Sequence, residues 1–509
     1  MHKRLVSFFF ASLLVIFFPS CHDYQKNSSH ASTPDASIKE GSKLAAKYCA
    51  SCHLLPDPSL LDSKSWENGV LPQMGPRLGI FYYGSRQYPS YVNDLNVAKN
   101  FYPAAPVISF DDWQHLIDYY TATSPDSLLP TSAPVRIDYS STMFEPRSPA
   151  SSSNTPSTSF IKITSGQQIV VCDVVVKKLF RFNASLKLID SFDTRTAVTD
   201  VIIDSNQYTL CNTGVLNPNN GKFGLIELIR RAGHFSDTII DKLMRPVQVS
   251  RADLNNDGKY DYLVCEFGNL SGALSWLENT DTGYVRRVIR PFPGAIRTYI
   301  HDYNHDGLPD IWALFAQGEE SVFLFTNKGN AQFQQQEVLR FPPSYGSSSF
   351  ELDDFNKDGF PDIVYTCGDN ADYSVILKPY HGVYIYMNDG KNNFTQKYFF
   401  PINGCYKAIA RDFDNDGDLD IATIAFFPDY IHRPEEGFVY LKNEGNFQFK
   451  PYAIDAAKNG RWLTMDAGDV DGDGKIDLVL GNFAVAPAMI RSNVDWKKQP
   501  QFLLLRNIQ

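Results

Sequence analysis

Two groups of residues in this 509-residue chain have the types and spacing for chemistry. The first is "YCASCH", where Cys49 and Cys52 stand three apart and His53 follows directly. That spacing suits a zinc knuckle, a redox dithiol or a haem attachment site. Structural zinc takes about four ligands, usually from a second Cys/His pair, and no second C-x-x-C exists in the chain. A thioredoxin-like dithiol needs a strand–helix context, whereas here the motif ends an amphipathic helix behind an export leader. Covalent haem c remains: Cys49 and Cys52 form thioethers with the porphyrin edge, and His53 turns its imidazole to the iron. Met74, in "VLPQMGPRLG", is the expected second axial ligand, with His115 on a later helix the other candidate. Met/His ligation favours a high potential and electron transfer.

The second group is a nine-residue loop that occurs five times. It reads "DLNNDGKYD" from Asp253, "DYNHDGLPD" from Asp302, "DFNKDGFPD" from Asp354, "DFDNDGDLD" from Asp412 and "DVDGDGKID" from Asp469. Side-chain oxygens at the first, third, fifth and ninth positions, around a glycine, suit a hard cation, and Ca²⁺ is expected. The ligands would be Asp253, Asn255, Asp257 and Asp261; Asp302, Asn304, Asp306 and Asp310; Asp354, Asn356, Asp358 and Asp362; Asp412, Asp414, Asp416 and Asp420; and Asp469, Asp471, Asp473 and Asp477. An EF-hand is excluded. The twelfth position holds Val264, Ala313, Tyr365, Thr423 or Leu480 in place of glutamate, and the flanks read as strands.

The elements that must carry these groups follow from pattern. Residues 1–20 have a basic tip and an apolar run too short to span a bilayer, as in a secretory signal, and Cys21 stands where a lipoprotein would be lipidated. A polar tether (21–36) leads to a helical unit (37–130). Its first helix should open with a capping box of Ser37 and Glu40. A later one should start at Ser109 and bury Trp113, Leu116, Ile117 and Tyr120 on one face. Residues 131–159, rich in Ser and Pro, read as a linker. From 160 to 509 short alternating strands dominate, at a period that suits one four-stranded propeller blade per loop. Two upstream units without the loop, near 160–205 and 206–250, bring the expected total to seven blades. The fold class is therefore multidomain: a small all-α domain followed by an all-β propeller.

A formal net charge of −10 argues against nucleic acid as a partner. Cys172, Cys211, Cys265, Cys367 and Cys405 show no disulfide framework and should be buried apolar residues. No nucleophile elbow, zincin or phosphate-loop motif is present. His381, Tyr380 and Arg297 are candidates for the central channel, and the aromatics of "AFFPDYIH" (425–432) for stacking a sugar.

The order CxxCH helix, Trp66, Met74 and closing helix with Trp113 resembles class I-like cytochrome c domains over about 37–130. The Asp-rich loops resemble the FG-GAP/VCBS repeats of integrin-like β-propellers, clearly over 250–509. Together they resemble exported cytochrome c/VCBS-repeat proteins of environmental bacteria. The resemblance implies a cell-envelope, lipid-anchored haem c electron carrier whose calcium-stabilised propeller docks a redox partner protein or a small-molecule or glycan ligand. It leaves two alternatives open: a carbohydrate or alcohol dehydrogenase that uses the haem as acceptor, and a carbohydrate-binding or adhesion module.

Overall fold

The structure is a computed structural model that describes residues 26–129, 135–150, 155–231, 235–370, 373–485 and 490–509. The leader and Cys21 lie outside the described residues.

Each Asp loop runs into a six-residue strand that is buried at every position: Asp261–Glu266, Asp310–Phe315, Asp362–Cys367, Asp420–Ala425 and Asp477–Asn482. A strand apolar on both faces needs cover on both faces. It finds that as the second strand of a sheet packed between two neighbouring sheets. Seven four-stranded antiparallel sheets are arranged this way. The two upstream blades, whose strands run from Thr158 to Asp193 and from Ala197 to Leu243, have the same strand order without the loop. The first strands of the seven blades touch in a closed ring around the axis. Those strands are Thr158–Ile163, Ala197–Ile203, Pro246–Ala252, Ala295–His301, Ser347–Asp353, Cys405–Arg411 and Trp462–Gly468.

Closure corrects the linker boundary. The seventh blade takes its first three strands from the C-terminal end and its fourth, Phe144–Arg147, from the segment read as linker. Phe144 pairs with Asn507 and Arg147 with Leu504, and the Phe144 ring packs against Phe413 and Tyr440 at 5.9 and 5.5 Å. Upstream, Asp138 bridges to Tyr452 of the sixth blade. Local composition hides this strand because its partner lies more than 350 residues away. The reason for it is the edge that Phe502–Asn507 would otherwise leave unpaired.

In the helical unit, α1 (Asp35–Tyr48) crosses α2 (Phe110–Thr123) so closely that a Cβ on Gly41 would lie 1.9 Å from the His115 carbonyl oxygen. Ser109 caps α2 as expected, accepting from Asp112 N at 3.0 Å. Trp113, Leu116 and Tyr120 are buried, with Ile117 packed beside them. The capping box of Ser37 and Glu40 does not form. The helix starts two residues before Ser37, whose hydroxyl bonds His115 Nδ1 (2.6 Å) and Asp118 instead. The end of the tether is also tied down: Asn27 Nδ2 donates to Thr121 O at 2.6 Å and Ser124 O at 2.8 Å.

Candidate functional site

At the end of α1 the backbone tightens into a 3-10 turn, Cys49–Ser51. Cys49 is half-buried, Cys52 is exposed, and both thiols are free. Burial raises the Cys49 pKa above its ordinary value. His53 Nδ1 sits 2.9 Å from the Leu54 carbonyl oxygen. An Nδ1–H held there leaves Nε2 with its lone pair, the tautomer a metal-bound imidazole adopts. Burial, and then the charge of Arg340, hold this imidazole below its usual pKa and so neutral. Leu54 and Leu55 are exposed beside it. Met74 closes a short helix, Leu71–Met74, where a loop was expected, and it borders the same apolar cluster as Cys49. His115 is held between the two helices by the Ser37 hydroxyl on its Nδ1. Two free thiols, a presented Nε2 and exposed apolar neighbours fit a covalently held haem.

The helical unit lies on one rim of the propeller. Tyr380 of the fifth blade donates its hydroxyl to Leu60 O at 2.9 Å and reaches Ser344 O at 3.3 Å. A Cβ on Gly69 would meet Tyr373 O at 2.1 Å, and Asn220 Nδ2 donates to Asp94 at 2.9 Å. Tyr380 is therefore a junction residue and not a channel residue. Its neighbour His381 is buried with neither ring nitrogen partnered.

The Asp loops lie on the opposite rim, between first and second strands. Each takes a left-handed turn at its fourth position (Asn256, His305, Lys357, Asn415, Gly472) and at the sixth-position glycine, and the glycine makes the second of these free of strain. The first aspartate folds the loop around itself: Asp354 accepts Asp358 N at 3.1 Å and Gly359 N at 2.8 Å. The fifth accepts the seventh N–H, as from Phe360 N to Asp358 at 2.9 Å. In two loops three carboxylates bring one oxygen each within 4.8 Å of one another: Asp412, Asp414 and Asp416, and Asp469, Asp471 and Asp477. In the other three the third position is Asn255, Asn304 or Asn356. Clustered hard oxygens in a pre-turned loop fit Ca²⁺. Lys442 pairs with Asp414, and Arg506 pairs with Asp471 and lies 3.6 Å from Asp473.

The ninth-position aspartates differ in role from a simple loop closure. Each is buried and accepts two backbone N–H groups, one from its own loop and one from an asparagine at or next to the end of the third strand. Asp362 accepts Phe355 N (3.0 Å) and Asn388 N (2.8 Å); Asp477 accepts Val470 N (2.9 Å) and Asn507 N (2.8 Å). Asn279, Asn327 and Asn443 do the same for Asp261, Asp310 and Asp420. Burial pushes Asp362 and Asp420 up to about 6. The asparagines were missed as partners, although for Asn327, Asn388 and Asn443 an Asn-x-Gly turn after the third strand was the available signal.

Along the axis, all seven blade junctions carry a side-chain to backbone bond between neighbouring first strands. Ser159 donates to Val198 O, Tyr299 to Phe350 O and Lys407 to Met465 O. Asp200 accepts from Val249 N, Gln248 from Thr298 N, Glu351 from Ala410 N and Asp466 from Ile163 N. Lys162, Asp200, Arg297, Glu351, Lys407 and Asp466 thus alternate in sign around the ring. Burial, and then Arg297, push Lys407 down to about 8. At the Asp-loop end a cavity of about 260 Å³ is lined by Tyr299, Glu351, Asp353 and Arg411, and burial lifts Asp353 to about 7.

Residues 302–365 match the FG-GAP-like repeat model, spanning two of the five loops. Among solved structures, the chain is similar to virginiamycin B lyase from Staphylococcus aureus, at 12% identity over 72% of this chain and 99% of that chain, with a TM-score of 0.45. It is also similar to the N-terminal domain of Nup159, at 11% identity over 74% and 98%, with a TM-score of 0.43. Likenesses this distant carry nothing about activity.

Proposed function

We propose that this protein is an exported, lipid-anchored haem c electron carrier whose calcium-stabilised propeller docks a partner or ligand. The observation that carries it is the state of the CxxCH group: two free thiols beside a neutral His53 whose Nδ1 is already occupied. Cys49 and Cys52 would hold the haem, His53 and Met74 would ligate its iron, and Cys21 would take the lipid. Bound there, haem c supplies one-electron chemistry at the iron. The chain's own part is positional. The Leu54 carbonyl fixes the His53 tautomer, and α1 packed on α2 keeps the thiols at the end of a rigid helix. Arg340 of the fourth blade brings positive charge to the site. On the other rim the Asp loops would take Ca²⁺, giving each second strand a fixed start.

The test is an oxidised and reduced visible spectrum of protein matured in an exporting host that attaches haem c, with Cys49→Ala/Cys52→Ala and Met74→Leu variants beside it. Haem retained through denaturing electrophoresis and lost in the double variant is expected. Low-spin iron that turns high-spin in Met74→Leu identifies the axial ligand. Protein that matures without covalent haem would sink the reading.

A further inference from the structure

The rim that carries the helical unit holds a cluster of buried N–H donors with no acceptors. Arg461, 1% exposed, lays its guanidinium 3.6 Å from the centre of the Phe426 ring and 5.7 Å from that of Trp496. Its Nη1 donates to Val485 O at 2.7 Å and the Tyr430 hydroxyl lies beside the guanidinium, while Nε and Nη2 meet no acceptor at hydrogen-bond geometry. Trp496 Nε1 and Gln501 Nε2, in residues 7% and 4% exposed, are also unpartnered. Asn482 ties the three together. Its Oδ1 accepts Arg461 N at 3.2 Å, its Nδ2 donates to Trp496 O at 3.1 Å, and its own N–H donates to Gln501 O at 2.9 Å.

Each buried donor left unmade costs about 1–3 kcal/mol, and native interiors hold few of them. Four in one place, all donors and one pair on a guanidinium, describe the complement of an anion with several acceptor oxygens. The surroundings agree. Tyr406 packs against Phe426 at 5.5 Å and feels the charges of Arg245, Arg461 and Arg297 as well as that of Asp369. Arg297, on the first strand of the fourth blade, lies among the ring acids Asp200 and Glu351. Phe427 and Phe483 complete an aromatic wall with Phe426, and Tyr430 packs edge-on to Trp496 at 4.7 Å.

We propose that this donor cluster between the sixth and seventh blades binds the oxyanion of an acidic sugar, a carboxylate or sulfate. Arg461 Nε and Nη2 grip it as a fork, and Trp496 Nε1 and Gln501 Nε2 donate to its remaining oxygens. A planar guanidinium matches two oxygens of one oxyanion. The aromatic wall offers apolar surface to the attached ring. The site goes beyond the haem reading and does not depend on it.

Calorimetric titration of the full-length protein with glucuronate, inorganic sulfate, acetate and glucose tests it. Glucuronate should bind, acetate and sulfate should compete, and glucose should not bind. Equal binding of sulfate and glucuronate would assign the site to the free anion rather than to the sugar that carries it. Arg461→Lys should weaken binding at least tenfold by removing the fork. Trp496→Phe, which keeps the ring and deletes one N–H, should weaken it several-fold with the melting temperature unchanged. The proposal fails if none of the anions binds, or if both variants bind as the parent does.

Discussion

The two rims of the propeller are built on opposite rules. On the Asp-loop rim the same solution recurs five times, and its inner oxygens are saturated by backbone N–H groups of the same blade. On the rim beneath the helical unit the blades share a short backbone turn, as from Ala316 N to Gly294 O and from Gly368 N to Gly346 O, but their loops differ. Long loops dock Leu60 and Gly69, and donors such as Arg461 Nε stay unpartnered. Repetition marks how five of the seven blades fix the start of their second strand, whereas the irregular rim carries the helical unit and the unpartnered donors of Arg461 and Trp496.

Both rims depend on closure of the ring, so the largest effect is expected there. Phe144→Asp buries a charge among Phe413 and Tyr440 and opens the edge of Phe502–Asn507. It should lower stability by more than about 4 kcal/mol, read by denaturant unfolding. A near-parental midpoint would mean that the closing strand is ornamental and that each rim stands without it.

The repeated rim can be split by position. Asp362→Ala strands the Phe355 and Asn388 N–H groups and should cost about 2–5 kcal/mol with or without cation. Asp358→Ala, on the exposed side of the same loop, should cost little in chelator but should erase most of the calcium-dependent rise in melting temperature. A melt unmoved by EDTA would show that hydrogen bonds alone hold the loops.

A smaller effect separates the acids of the irregular rim. Glu227, Glu266 and Glu436 are buried beside Arg195, Arg286 and Arg433 at 2.9, 2.6 and 3.0 Å. Glu320 has Ser347 and Gly346 as hydrogen-bond donors and, among the described residues, no cation. Burial pushes it up to about 7 from 4.5. The folded state therefore favours the protonated form, and the unfolded chain releases its proton first. Stability from this group should fall as pH rises between those values, by on the order of 3 kcal/mol, and level off above. Glu320→Gln should flatten that slope in melts from about pH 5 to about pH 8. An equally steep slope in the variant would assign it to other groups.

Much of this was legible locally. The glycine at the sixth loop position announces a sharp turn. The fully apolar runs after each loop announce strands covered on both faces. The Ser109 cap and the face of Trp113, Leu116 and Tyr120 follow from helical period alone. Ser37 misled because a cap signature near a helix start also suits an interhelical contact, and His115 and Asp118 claimed its hydroxyl. Tyr380 misled because a long loop carried it to the helical unit rather than to the axis. The asparagines that meet the ninth-position aspartates could not be paired with them from spacing, because that role needs the third strand beside the second.

What the sequence by itself determined is the repeating unit and the chemistry each unit carries: CxxCH at a helix end, and an oxygen-rich turn before a buried strand. These are local, since a few consecutive residues and their backbone angles contain the whole constraint. The tertiary structure alone decided how the ring closes, which rim the helices cover and which donors are left without acceptors. Those depend on pairings such as Phe144 with Asn507 and Tyr380 with Leu60, where the partner's identity is set by packing and not by spacing along the chain.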